Sequence, residues 1–137
     1  MRVLRYALGS TIGTMLIAAG YLWWVLLSPF GYDRPAELPP IPSGEYQVFV
    51  YGTLTHAPVR WLVYGRTGSP EAASLPGFRK RELDLVEDRN QRVDGMVLRV
   101  DAEELADLDR YERLGHRYER VRVQLDNGAQ AWVYRRL

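Results

Sequence analysis

Cysteine is absent from the chain, and histidine occurs only at His56 and His116. The first absence removes disulfides, thiolate nucleophiles and thiol metal ligands. The second leaves too few imidazoles for a zinc site, so no metal is expected. Lacking cysteine, the chain carries no mark of an oxidising or a reducing compartment, and compartment has to be read from topology. An excess of basic charge is missing too. From Glu45 onward Lys and Arg balance Asp and Glu to about zero, and the arginines alternate with acids rather than forming a stripe. The electrostatic footprint of a nucleic-acid binder is therefore absent, and no nucleic-acid partner is expected. The 137 residues suffice for one domain and a tail but not for two cores, which limits the chain to one active site.

The chain is 47% hydrophobic and 26% charged, as an ordinary globular protein is, yet its apolar residues crowd into a block before residue 30. No charged residue stands between Arg5 and Asp33, and Tyr6 to Leu27 is about as long as a helix needs to cross the hydrocarbon core. Residues 6–28 are expected to form a transmembrane anchor after a short cytoplasmic N-terminus, residues 1–5. Tyr21, Trp23 and Trp24 gather near the far end, where amphipathic rings favour the interface, and Ser28 and Pro29 end the segment. Arg2 and Arg5 precede the span, whereas only Arg34, beside Asp33, closely follows it. The positive-inside rule then gives an N-in, C-out orientation. In a bacterial cell this is a single-pass inner-membrane protein with its C-terminal domain in the periplasm. A cleaved signal peptide shares the basic start, but its apolar core is shorter and ends in small residues. The bulky LWWVLLSPF favours the anchor.

Residues 29–44 are expected to be a linker, with four prolines between Asp33 and Gly44 describing a stiff spacer. The domain spans 45–137. Tyr46 to Val50 reads as a buried strand stopped by Gly52, His56 to Tyr64 as a short helix, and Gly65 to Pro76 as a loop. Phe78 to Val86 and Val93 to Val100 read as strands, with Gly95 marking a bulge or a close backbone approach. Asp101 and Glu104 have capping-box spacing ahead of a helix carrying Leu105, Leu108 and Tyr111 on one face. Two alternating runs flank Asp126-Asn127-Gly128, a hairpin turn signal. The expected fold is α+β: a small, mixed, curled and barrel-like β-sheet with one main helix.

Two places break the pattern of a purely structural domain. Tyr51-Gly52-Thr53-Leu54 follows a strand, and a glycine there lets successive N–H groups converge on an anion such as a carboxylate. The same glycine also suits a plain tight turn. Glu112 lies seven positions from Leu105, within roughly 20° on a helical wheel, so its carboxylate points toward the apolar face. Desolvation there raises a carboxyl pKa into the range useful for acid/base work. The competing placement is a helix-end Glu reaching outward to Arg113, Arg117 or Arg120. His116 and His56 read as solvated loop residues without a role, and Tyr118 as half-buried packing whose hydroxyl could reach a ligand. Asp107, Asp109 and Arg110 are expected on the outward, solvated helix face.

The run VFVYGTL, Val48 to Leu54, resembles the opening strand and substrate loop of the gamma-glutamylcyclotransferase-like family, closest to its gamma-glutamylamine cyclotransferase branch. Leu75-Pro76-Gly77-Phe78 is similar to the start of that family's second strand, and Val93 to Val97 to its "V-x-G-x-V" strand. Leu105 to Val123 resembles the segment "L-x-x-L-D-x-[FY]-E … Y-x-R-x-x-V-x-V". Several spaced motifs in order make the match specific across Val48 to Tyr134. The resemblance implies a substrate loop on Tyr51, Gly52, Thr53 and Leu54, Glu112 as general acid/base, and no cofactor; Tyr118, from the reading of its own position, joins the substrate-binding candidates. The resemblance also implies a reaction: the free α-amine of a small gamma-glutamyl substrate attacks its own γ-carbonyl, releasing an amine or amino acid and 5-oxoproline. One departure stands out, since many members carry Glu where Met96 follows Gly95. A second class of function fits the same residues: a non-catalytic ligand-binding or interaction module, working with a membrane protein partner through an anchor that sits in the lipid bilayer.

Overall fold

The computed structural model describes residues 1–26 and 32–137. The expected end of the span at Ser28 and Pro29 lies outside the described residues. The chain divides into two compact units, Met1–Asp33 and Arg34–Leu137.

The first unit is one helix, α1 (Arg2–Leu26). Its residues from Arg2 to Trp24 are long and apolar enough to cross a membrane, a test that a signal sequence also passes. Thr11 and Thr14 return their hydroxyls to the carbonyls of Ala7 and Ser10, each at 2.9 Å, so these polar atoms need no water.

The second unit is a five-stranded sheet with two helices: β1 (Glu45–Val50), α2 (Ala57–Tyr64), β2 (Glu71–Arg81), β3 (Asp84–Asp101), α3 (Ala102–Glu112), β4 (Tyr118–Gln124) and β5 (Gln130–Arg136). The strand order is β2-β3-β1-β5-β4. β1 and β5 pair in parallel and every other pair is antiparallel, which gives the mixed sheet that the sequence leads one to expect. Val48 and Val50 alternate with Phe49 and Tyr51 across the two faces. On one face Phe49, Leu75, Leu85, Val93, Leu125, Ala131 and Val133 form a core, with Tyr51, Phe78 and Val121 against it. α2 and α3 pack on each other, and α3 lies on β1 and β3 through the fully buried Leu105 and Leu108.

α3 begins as its spacing predicts. The Asp101 carboxylate accepts the Glu104 N–H and the Glu104 carboxylate accepts the Asp101 N–H, closing a capping box. The Asp126-Asn127-Gly128 turn joins β4 to β5, with Gly128 at φ 84°. Gly95 resolves as a close approach, since a Cβ there would lie 2.3 Å from the Val50 carbonyl oxygen and 2.8 Å from the Phe49 ring.

Two expectations about strands need correction. The loop read over Gly65 to Pro76 is strand from Glu71 onward, and the strand read over Phe78 to Val86 is two strands meeting at Glu82 and Leu83. β2 is an edge strand paired only with β3, so Pro76 loses no ladder bond it needs. The chain turns at Glu82 with φ 55°, where no glycine, asparagine or proline marks the reversal. Gly77, at φ 82°, takes the register shift between Pro76 and Phe78 instead.

These features curl the sheet. On either side of the bulge the β2–β3 hairpin reaches the β4–β5 end of the sheet: the Asp126 N–H donates to the Ser74 carbonyl at 3.0 Å, and the Arg136 N–H to the Asp84 carboxylate at 3.0 Å. Arg135 lies over the Phe78 ring at 5.9 Å.

Candidate active site

β1 delivers the first half of the site. Tyr51 follows it with its ring parallel to Phe49, centroids 6.3 Å apart, and its hydroxyl donates to the Tyr134 carbonyl at 3.0 Å. The chain then makes one 3₁₀ turn over Thr53–Thr55. The first bond within that turn is from the Thr55 N–H to the Gly52 carbonyl, 3.1 Å, so the amides of Thr53 and Leu54 precede it and have no carbonyl inside the turn. Gly52 has a negative φ of −124°, and a Cβ there would meet nothing within 4 Å. A left-handed turn is therefore not the reason for glycine, and the space before the loop is open.

Two side chains hold this loop. Arg60, 5% exposed, donates to the carbonyls of Leu54 and Thr55 at 3.1 and 2.9 Å and to that of Thr67 at 2.7 Å. Thr53 Oγ1 shares a hydrogen bond of 2.8 Å with the Tyr111 hydroxyl. Tyr111 immediately precedes Glu112, so this bond fastens the loop to the last turn of α3.

Glu112 is the final residue of α3 and is half-buried. Among the described residues it makes no ion pair, and Arg120, one of the outward partners considered for it, bonds Asp109 instead. Burial alone pushes its carboxyl up to about 7. Three tyrosines feel its charge. Tyr51 is raised first by burial, then by Tyr118 and Glu112; Tyr118 is raised by burial and next by Glu112; Tyr134 is raised by burial and by Asp109, with Glu112 adding. The Tyr118 hydroxyl donates to the Leu83 carbonyl at 2.9 Å, which sets the hairpin tip beside this cluster, and Lys80 Nζ donates to the Tyr51 carbonyl at 3.2 Å.

The structure thus ties the 51–54 loop to the last turn of α3 through Thr53 and Tyr111, and places Glu112 close enough to Tyr51 and Tyr118 for its charge to raise both phenols. The Leu54 side chain turns away into the core at 3% exposure, leaving only its backbone for a ligand. His56 is exposed and His116 lies in the loop after α3. Met96, half-buried on β3, pairs with Val50 and contributes no polar group.

Asp109 corrects the sequence reading most. Expected on the solvated helix face, it is 0% exposed. Arg34 reaches it at 2.9 Å, Arg120 grips both carboxylate oxygens at 3.1 Å, and the Tyr134 hydroxyl donates to it as well. A helical wheel assigns a charged residue outward by default. The partners that make burial favourable here lie 75, 11 and 25 residues away, where no local pattern reveals them.

A curled five-stranded α+β domain with a desolvated glutamate tied to an open backbone loop defines a class of small domain suited to acid/base chemistry. Residues 48–136 match the family described as "Gamma-glutamyl cyclotransferase, AIG2-like", and the chain belongs to it. Among solved structures it is similar to a solution structure of an Arabidopsis thaliana protein, with 33% identity, 68% of this chain and 69% of that one covered, and a TM-score of 0.58. A second Arabidopsis thaliana solution structure gives 28% identity, 73% and 66% coverage and a TM-score of 0.58. A structure titled "Gamma-glutamyl cyclotransferase" shares the fold, with 15% identity, 69% and 68% coverage and a TM-score of 0.56. Among curated proteins none matches.

Proposed function

We propose that the chain is a gamma-glutamylcyclotransferase-type enzyme anchored by its N-terminal helix, which cyclises a gamma-glutamyl group to 5-oxoproline and releases an amine or amino acid. The observation that carries this reading is Glu112, desolvated to a pKa of about 7 and tied through Tyr111 to the loop of Tyr51 to Leu54.

In this reading the Thr53 and Leu54 amides receive an oxygen of the substrate, as N–H groups without a carbonyl partner in their own turn are suited to do. Glu112, as carboxylate, takes a proton from the substrate α-ammonium. The freed amine attacks the γ-carbonyl and a new C–N bond closes the five-membered ring; the bond to the departing amine breaks as Glu112 returns the proton to it, and the proton left over on the ring nitrogen passes to the released amine, which leaves as its ammonium ion. Both reacting groups belong to one molecule, so folding it back on the loop supplies most of the proximity advantage. Only a gamma-glutamyl group with a free α-amine can react, because an acylated nitrogen is no nucleophile.

The test is release of 5-oxoproline from a panel of gamma-glutamyl amino acids and amines by the full chain, beside Glu112→Gln. Turnover that disappears in the variant is expected. A folded protein inactive across the panel would reject the enzyme reading in favour of a binding module, and equal turnover in the variant would reject Glu112 as proton carrier.

A further inference from the structure

Arg34 belongs to the segment read from sequence as a stiff spacer, yet it ends on a buried carboxylate. Its guanidinium donates to Asp109 at 2.9 Å with one nitrogen and to the Pro39 carbonyl at 3.0 Å with another. Between these bonds the chain closes a turn in which the Leu38 N–H donates to the Pro35 carbonyl at 3.2 Å. Pro35 and Leu38 also rest on Gly115: a Cβ on that glycine would lie 2.6 Å from Pro35 Cγ and 3.5 Å from a Leu38 methyl. Residues 34–39 therefore touch the C-terminal end of α3 at two points, Asp109 and Gly115, and Glu112 lies midway between them.

We propose that Arg34 is a positioning residue of the candidate site. It straps the segment ahead of the domain across the end of α3 and holds the last turn that carries Glu112. The helix end has a need for such a strap. Arg113 leaves α3 in the left-handed region at φ 53°, and the turn is then sealed by the Leu114 N–H on the Asp109 carbonyl, 2.9 Å, and the Gly115 N–H on the Tyr118 carbonyl, 2.8 Å. Arg120 and Tyr134 fix the Asp109 carboxylate from the sheet side, whereas Arg34 fixes it from the preceding segment. The consequence for Glu112 rests on the enzyme reading; the mechanical part does not.

The experiment compares wild type, Arg34→Met and Arg34→Lys in the full chain in lipid nanodiscs, by amide hydrogen exchange and by 5-oxoproline release. Arg34→Met is expected to speed exchange at Leu114 and Gly115 about tenfold or more while the Phe49 and Leu98 amides stay protected, as for a local opening. Its kcat should fall roughly tenfold or more at a nearly constant KM, because a small displacement of a proton carrier is enough to slow the reaction. Arg34→Lys, which can still reach Asp109 with one N–H, should restore most of both. Unchanged exchange in Arg34→Met would overturn the strap. Loosened exchange with unchanged kcat would overturn its role in positioning. Should the wild type itself show no turnover, the enzyme reading fails and the exchange comparison still decides the strap.

Discussion

A carboxyl group that titrates near 7 is more useful to catalysis than to folding, and the two effects have opposite signs. Glu112 must be ionised to take the first proton, so kcat/KM is expected to rise tenfold per unit from acid pH and level off above about 7. A limb centred near 4.5 would mean that a different base acts. For stability, the folded pKa lies above the unfolded 4.5, so the native state binds the extra proton and stability falls as pH climbs from 4.5 to 7. The gap corresponds to about 3 kcal/mol at most. Glu112→Gln has no proton to lose, so its melting temperature should match wild type at pH 4.5 and exceed it by several degrees at pH 8. No such divergence in paired pH melts would show that the carboxyl is better hydrated than the structure has it. Asp109 matters to stability through the partners it holds. Asp109→Leu strands the Arg120 guanidinium, whose side chain is only 13% exposed, and loses the acceptor of Tyr134; a destabilisation of about 3–5 kcal/mol is expected in denaturant titration.

At the scale of elements, β1 and β3 approach each other closely at Gly95. Gly95 sits where any side chain meets the Val50 backbone, so Gly95→Ala should lower stability by about 1–3 kcal/mol or more, measurable as a lower denaturation midpoint with an unchanged slope. That contact also illustrates what a sequence discloses. A glycine inside an alternating strand announces a close approach, as the Asp101–Glu104 spacing announces a cap and Asp-Asn-Gly announces a turn, because each signal is local chemistry. β2 is hidden for the converse reason. Glu71 to Ser74 has no β-branched residue, and its strand character comes from pairing with Val97 to Asp94, some 20 residues on. The Glu82–Leu83 turn is hidden because no glycine, proline or asparagine stands in or beside it to mark the reversal. In the site, Glu112 and the 51–54 loop stand out through helical phase and a strand-ending glycine. Arg60, Tyr111, Tyr134 and Arg34 do not, since their value lies in partners that only the folded sheet brings near.

At the scale of the molecule, the proposed anchor and the proposed reaction together set a condition on the substrate. In the proposed N-in orientation the domain lies across the bilayer from cytosolic gamma-glutamyl compounds, whereas the proposed reaction requires a free α-amine on the substrate. Orientation thus decides which substrates can be met at all, and it rests on few charges: Arg2 and Arg5 before the helix against Arg34, which the structure commits to Asp109. An alkaline phosphatase fused after Leu137 is expected to be active and a cytoplasmic reporter at the same junction silent. Replacing Arg2 and Arg5 with neutral residues should reduce that asymmetry, since the charge bias that sets it would be gone. The reverse reporter pattern in the unaltered chain would place the domain in the cytoplasm, where small gamma-glutamyl amino acids with free amines become the substrates to test first. A phosphatase signal that is active but released from the membrane fraction would instead identify the first helix as a cleaved signal, a reading its length and hydropathy also permit.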